Sequence, residues 1–153
     1  MGCGGGSRRK DCFSARLMFR TNGMGESYVY LPTGLPGNDG PNVCNAPPVS
    51  HCNEQYGASV GRGAYTYAKG RWTTVTQHIR LNSKGKVDGR VRIYANGKQI
   101  IDYNGITLVQ NPDTGRFRNI MMQSFYGGET VVFSIGHILL IGYRQHCGLG
   151  AKE

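Results

Sequence analysis

Apolar and polar residues alternate with a period of two through most of the chain that Gly and Pro do not interrupt, which is the period of a strand. The stretch Cys12 to Leu31, CFSARLMFRTNGMGESYVYL, shows it best. Phe13, Ala15, Leu17 and Phe19 alternate with Ser14, Arg16, Met18 and Arg20. Asn22-Gly23 is a hairpin signal, because both residues accept the left-handed backbone of a tight turn. In the return segment Tyr28 and Tyr30 share one face, and Val29 and Leu31 share the other. If the apolar faces of the two strands coincide, then Ser14, Arg16, Tyr28 and Tyr30 form a single polar, aromatic patch. The same pattern also describes the solvated side of an ordinary antiparallel sheet.

Further strands follow at close spacing. Residues 32–56 hold five of the six Pro residues, so they predict a long loop. GASVGRG, 57–63, predicts a short strand or a bulged segment. Trp72 to Asn82 predicts a strand with Val75, Ile79 and Leu81 on one face and Thr74, Thr76, His78 and Arg80 on the other. Arg90 to Ala95, the Asn96-Gly97 turn and KQIIDY predict a hairpin. GITLV predicts another strand, and Phe117 to Tyr126 a last one before Gly127-Gly128. No helical periodicity lasts beyond a turn. The expected class is all-β, a jelly-roll sandwich of two curved antiparallel sheets.

Composition narrows the possibilities. The chain has 153 residues, enough for one domain with a core, and Lys+Arg exceed Asp+Glu by 18 to 9. Such a surplus attracts polyanions: nucleic acid, a membrane surface or an acidic polysaccharide. Of the five Cys, Cys3 and Cys12 bracket a Gly-rich basic loop, and Cys44 and Cys52 bracket the Pro-rich loop. Neither spacing suits zinc. Two local disulfides, with Cys147 left over, are the better reading and imply an oxidising compartment. Five reduced thiols are the alternative. No apolar run is long enough to span a membrane as a helix.

The chemistry on offer is limited. G-x-S-x-G, HExxH and a phosphate-binding Gly loop are all missing, and the four His have no metal spacing. No carboxylate lies on the Ser14–Arg16 strand, which leaves a two-carboxylate glycosidase little to stand on. An Arg with two Tyr on one face suits β-elimination of a uronic acid polymer instead. A cation neutralises the sugar carboxylate, a base removes the neighbouring proton, and an acid protonates the leaving oxygen. Arg supplies the first role through a bidentate pair, and Tyr can supply the others.

Four segments, CFSARLMFRTNGMGESYVYLP, YGASVGRGAYTYAKGRWTTVTQHIRLN, GRVRIYANGKQIIDYNGI and IMMQSFYGG, resemble polysaccharide lyase family 14, the alginate and glucuronate lyases. The resemblance covers roughly residues 3 to 128 and implies a jelly roll with substrate across one sheet, β-elimination and no cofactor. The family's Ser-x-Arg corresponds to Ser14 and Arg16, and its Tyr-x-Tyr, twelve residues after that Arg, to Tyr28 and Tyr30. Strand position adds Arg62 and Gln123 as substrate contacts. The family's lysine, in a Lys-Leu-Pro-Gly segment ahead of the first Cys-bracketed loop, has no counterpart here; Lys10 stands in a different context. Residues 129–153 do not match the family's closing strands. The expectation is a partial jelly-roll domain over 1–128 with a divergent tail, from a truncated, secreted gene product whose signal peptide is missing. Its expected partner is an acidic polysaccharide, bound by a monomer, without nucleic acid or membrane. A non-catalytic carbohydrate-binding jelly-roll module is the alternative.

Overall fold

A computed structural model describes residues 12–113, 115 and 117. The expected strand over 117–126 and the tail over 129–153 therefore lie almost wholly outside the described residues, as do Cys3 and Gln123.

Among the described residues nine elements follow one another: β1 (Ser14–Phe19), a 3-10 turn (Thr21–Gly23), β2 (Met24–Tyr30), α1 (Pro41–Cys44), β3 (His51–Asn53), β4 (Gly57–Thr66), β5 (Val75–Arg80), β6 (Gly89–Ala95) and β7 (Lys98–Ile106). The strands form two antiparallel sheets, one in the order β1-β2-β4-β3 and the other β5-β6-β7. The fold is an all-β sandwich, as the alternation predicts.

Both expected hairpin turns form. Asn22 (φ 61°) and Gly23 (φ 73°) close the first, and Asn96 (φ 48°) and Gly97 (φ 83°) the other. The first is a three-residue turn in which the Gly23 N–H donates to the Arg20 carbonyl at 3.0 Å. In the second, a two-residue turn, left-handed backbone at both positions matches the twist of the flanking strands, and Asn and Gly adopt it at least cost. The first turn sets the register Ser14 opposite Tyr30 and Arg16 opposite Tyr28.

Alternation then sorts the side chains. Val29, Ala58 and Val60 from the first sheet meet Val91, Ile93, Ile101, Tyr103 and Ile106 from the second in one core, where most are fully buried. Each fully buried aliphatic side chain contributes about 1.5–3 kcal/mol over an exposed one. Ser27 also points into this core, where its hydroxyl bonds the Tyr103 hydroxyl at 2.9 Å, so one buried polar pair links the two sheets.

The structure departs from the expected strands in three places. β4 runs to Thr66 instead of ending at Gly63. Between the pairs Ser27–Val60 and Gly25–Tyr65 the ladder shifts, so residues 61–64 bulge out, with Gly61 and Gly63 at positive φ. KQIIDY and GITLV do not form separate strands. β7 continues to Ile106, and Gly105 (φ 68°) is an extra residue opposite the Gly89–Arg90 step. β5 begins at Val75, and Trp72 is 85% exposed in the preceding loop.

The Pro-rich loop is pinned, as expected. Its one-turn helix α1 begins with Pro at the first position, where the missing N–H costs nothing. A disulfide joins Cys44 at the end of α1 to Cys52 in β3. Asn38 donates to the carbonyls of Pro32 and Thr107, both at 2.8 Å, and accepts from the Thr107 N–H at 2.9 Å. This ties the loop to the end of β7.

One close contact offers a test. A Cβ added at Gly25 would sit 2.1 Å from Cζ of Tyr65, inside the ring. Gly25→Ala should destabilise the fold by about 1–3 kcal/mol, the usual cost of overpacking. Chemical denaturation would show it, and an unchanged midpoint would refute the packing of Tyr65 over Gly25.

Candidate active site

The face of the first sheet that points away from the core carries the polar residues. Direct pairing across all four strands aligns Arg16 of β1, Tyr28 of β2, Ser59 of β4 and His51 of β3 in one row. Beside it, Ser14 and Tyr30 form a second pair. Along β2, Glu26, Tyr28 and Tyr30 follow at two-residue steps on the same face, about 6.5–7 Å each. The four residues Ser14, Arg16, Tyr28 and Tyr30 are thus together.

This face is not simply wet. Tyr30 is buried, and the side chain of Glu26 is 0% exposed. The Tyr28 and Tyr30 rings meet edge to face, 5.5 Å between centroids and 77° apart. The Arg16 guanidinium carbon lies 4.7 Å from the centre of the Tyr30 ring, and that of Arg20 lies 5.5 Å from the Tyr28 ring, both within cation–π range. The Tyr28 hydroxyl donates to the carbonyl of Tyr56. That carbonyl is held in a tight turn, where the Asn53 side chain accepts from the N–H groups of Gln55 and Tyr56, both at 2.9 Å.

Glu26 anchors the cations of this face. Arg20 Nε and Nη2 donate to its Oε1 at 2.9 and 2.5 Å. Arg62 Nε donates to Oε2 at 2.8 Å, and the Ser59 hydroxyl donates to the same oxygen at 2.7 Å. Arg62 Nη2 reaches the Ser59 oxygen at 3.1 Å. The bulge over 61–64 carries Arg62 across the sheet to this position, and its N–H donates to the Val49 carbonyl at 2.7 Å. Arg62 therefore sits on the same face as the Tyr pair, with its guanidinium engaged by Glu26 and Ser59. Among the described residues, no group of three or more His, Cys, Asp or Glu side chains gathers as a metal site.

The family model described as Polysaccharide lyase 14 matches residues 1–137. The chain belongs to polysaccharide lyase family 14. Among solved structures it is similar to the marine PL-14 alginate lyase from Aplysia kurodai, with a TM-score of 0.56 and 30% identity over 72% of this chain. The match covers 42% of that enzyme, so this chain spans less than half its length. No curated protein sequence matches it significantly.

In this family 14 chain two electrostatic features stand out. Burial pushes the Tyr28 hydroxyl up, and the neighbouring Tyr30 adds to the effect; Arg20 opposes it, and the result is about 12. Burial also pushes the Glu26 carboxyl up, but hydrogen bonds from Arg20, Ser59 and Arg62 outweigh it and hold Glu26 below the usual carboxylate range. Neither Glu26 nor Arg20 was picked out from the sequence, although both lie in phase with the polar residues of their strands. His51 has no metal spacing in the sequence and reads alone as structural or solvent-facing; only the pairing with β4 puts it in the row.

A folded pKa below the unfolded value stabilises the fold above that value. For Glu26 the contribution is complete above about 4.5 and is lost as pH falls through the lowered folded value. Thermal melts of wild type and Glu26→Gln should therefore converge as the medium is acidified. Curves that stay parallel from neutral pH into that range would show that the Glu26 ion pairs contribute no stability.

Proposed function

We propose that the chain is a polysaccharide lyase that cleaves an acidic uronate polymer, alginate or polyglucuronate, by β-elimination. The observation that carries this reading is the placement of Arg16 beside the Tyr28–Tyr30 pair on one sheet face of a family 14 chain. The similar enzyme from Aplysia kurodai is an alginate lyase, which supports the substrate class.

Each group has a role. Arg16 pairs with the uronate carboxylate and takes up the charge that spreads onto it when the adjacent proton leaves; such stabilisation is worth on the order of 3 kcal/mol per well-placed donor. Tyr28, kept protonated by burial, protonates the oxygen of the departing sugar. Proton abstraction then falls to Tyr30, whose ring lies under the Arg16 guanidinium. Ser14, paired with Tyr30 at the edge of the patch, supplies a hydroxyl to the sugar. The bond to the neighbouring sugar breaks, and a carbon–carbon double bond conjugated with the carboxylate remains. The Cys44–Cys52 disulfide suits an extracellular setting, where such polymers are met.

The conjugated product absorbs in the ultraviolet, so the chain should generate that absorbance from alginate or polyglucuronate. Tyr28→Phe should bind the polymer as wild type does while turning it over roughly 100-fold or more slowly, the usual loss of a positioned proton donor. Binding without any new absorbance from the wild-type chain would favour a non-catalytic carbohydrate-binding module. Full turnover by Tyr28→Phe would remove Tyr28 from the mechanism.

A further inference from the structure

We infer that Arg20 and Arg62, held by Glu26, form a second carboxylate-binding subsite, which takes a uronate unit next to the one at Arg16. The inference rests on the uronate-polymer reading above.

Three observations point to it. First, the cluster holds two guanidinium groups and one carboxylate, so it keeps a net positive charge on the polar face. Arg20 alone, through Nε and Nη2, already neutralises Glu26 with two bonds to one oxygen. The second arginine is surplus to that need. Second, the carboxylate is the floor and the cations are the rim. The side chain of Glu26 is 0% exposed, while those of Arg20 and Arg62 are 31% and 40% exposed. A ligand approaching this face would meet the arginines. Third, the position is regular. Glu26 is one two-residue step from Tyr28 and two from Tyr30 along β2, so the cluster and Arg16 flank the Tyr pair on one surface. A uronate polymer carries one carboxylate per sugar, so a groove needs repeated cation sites to hold it.

The geometry gives Glu26 a positioning role. A guanidinium has five N–H donors, and the bonds given above use Nε and one terminal nitrogen of each arginine. Glu26 fixes both planes from below and directs the other terminal nitrogen of each group away from itself. A purely structural clamp across β1, β2 and β4 would have no need of solvent-facing cations. Arginine is also specific here, because lysine cannot bond Glu26, Ser59 and a ligand with a planar fork.

The experiment is polymer binding by wild type, Glu26→Gln, Arg62→Gln and Arg62→Lys, measured at two salt concentrations with alginate and polyglucuronate, with turnover followed in parallel. Charge counting alone predicts that Glu26→Gln, which makes the chain more positive, binds a polyanion more tightly. Positioning predicts weaker binding, by roughly tenfold, the worth of one charge-assisted hydrogen bond. Arg62→Lys should lose most of what Arg62→Gln loses, and KM should rise in these variants more than kcat falls. Tighter binding by Glu26→Gln, or wild-type affinity in Arg62→Lys, would overturn the subsite. If Glu26→Gln does not fold, the two Arg62 variants decide, because they leave Glu26 with Arg20 and Ser59. A wild type that binds without turnover refutes the lyase reading and leaves the subsite tested by affinity. A wild type that binds neither polymer refutes both.

Discussion

A buried carboxylate on a sheet face must be matched by cations and hydrogen bonds, and at Glu26 that requirement organises the whole polar face. Desolvating an unpaired carboxylate costs several kcal/mol, so Glu26 is tolerable only with a cation and hydrogen-bond donors in place. Arg20 arrives from the end of β1 and Arg62 from the bulge in β4, so the charge ties three strands together on the side away from the core. It also brings a guanidinium against the ring of Tyr28. The bulge in β4, which would otherwise be a defect in the ladder, is what delivers Arg62.

The phenols are prepared by a different means. Tyr28 and Tyr30 touch edge to face, and burial works against ionising Tyr28. The Tyr28 hydroxyl is aimed by the carbonyl of Tyr56, in a turn held by Asn53. Gly57 (φ 84°) follows that turn, and a Cβ there would lie 2.6 Å from the Val29 carbonyl oxygen. The orientation of Tyr28 thus depends on a glycine whose own role is to let two strands approach.

Much of this was legible in the sequence. Period-two alternation placed Ser14, Arg16, Tyr28 and Tyr30 on one face, and Asn22-Gly23 set their register, because both signals are local. A bulge in GASVGRG was one of two readings the glycines allowed, but the extent of the strands was not legible, because a Gly inside a strand reads as a stop. Alternation ends one segment at Gly63 and begins a new one at Gly105, yet β4 and β7 run through these residues at positive φ. Glu26 lies in phase with Tyr28, yet its burial depends on arginines from elsewhere, and Arg62 reaches it only because of a bulge whose direction alternation does not give. His51 joins the row through pairing with β4, which is likewise non-local.

The Asn22–Gly23 turn fixes which residues each face of this strand pair presents. A one-residue slip in a strand pair exchanges its two faces. One residue added at this turn would move Arg16 or Glu26 toward the apolar core and turn Leu17 or Val29 toward the polar face. The polar face and the core are one alternating pattern seen from opposite sides. Change on the polar face is therefore confined to exchanging side chains at fixed positions, while the length of this short loop is as constrained as the residues it aligns.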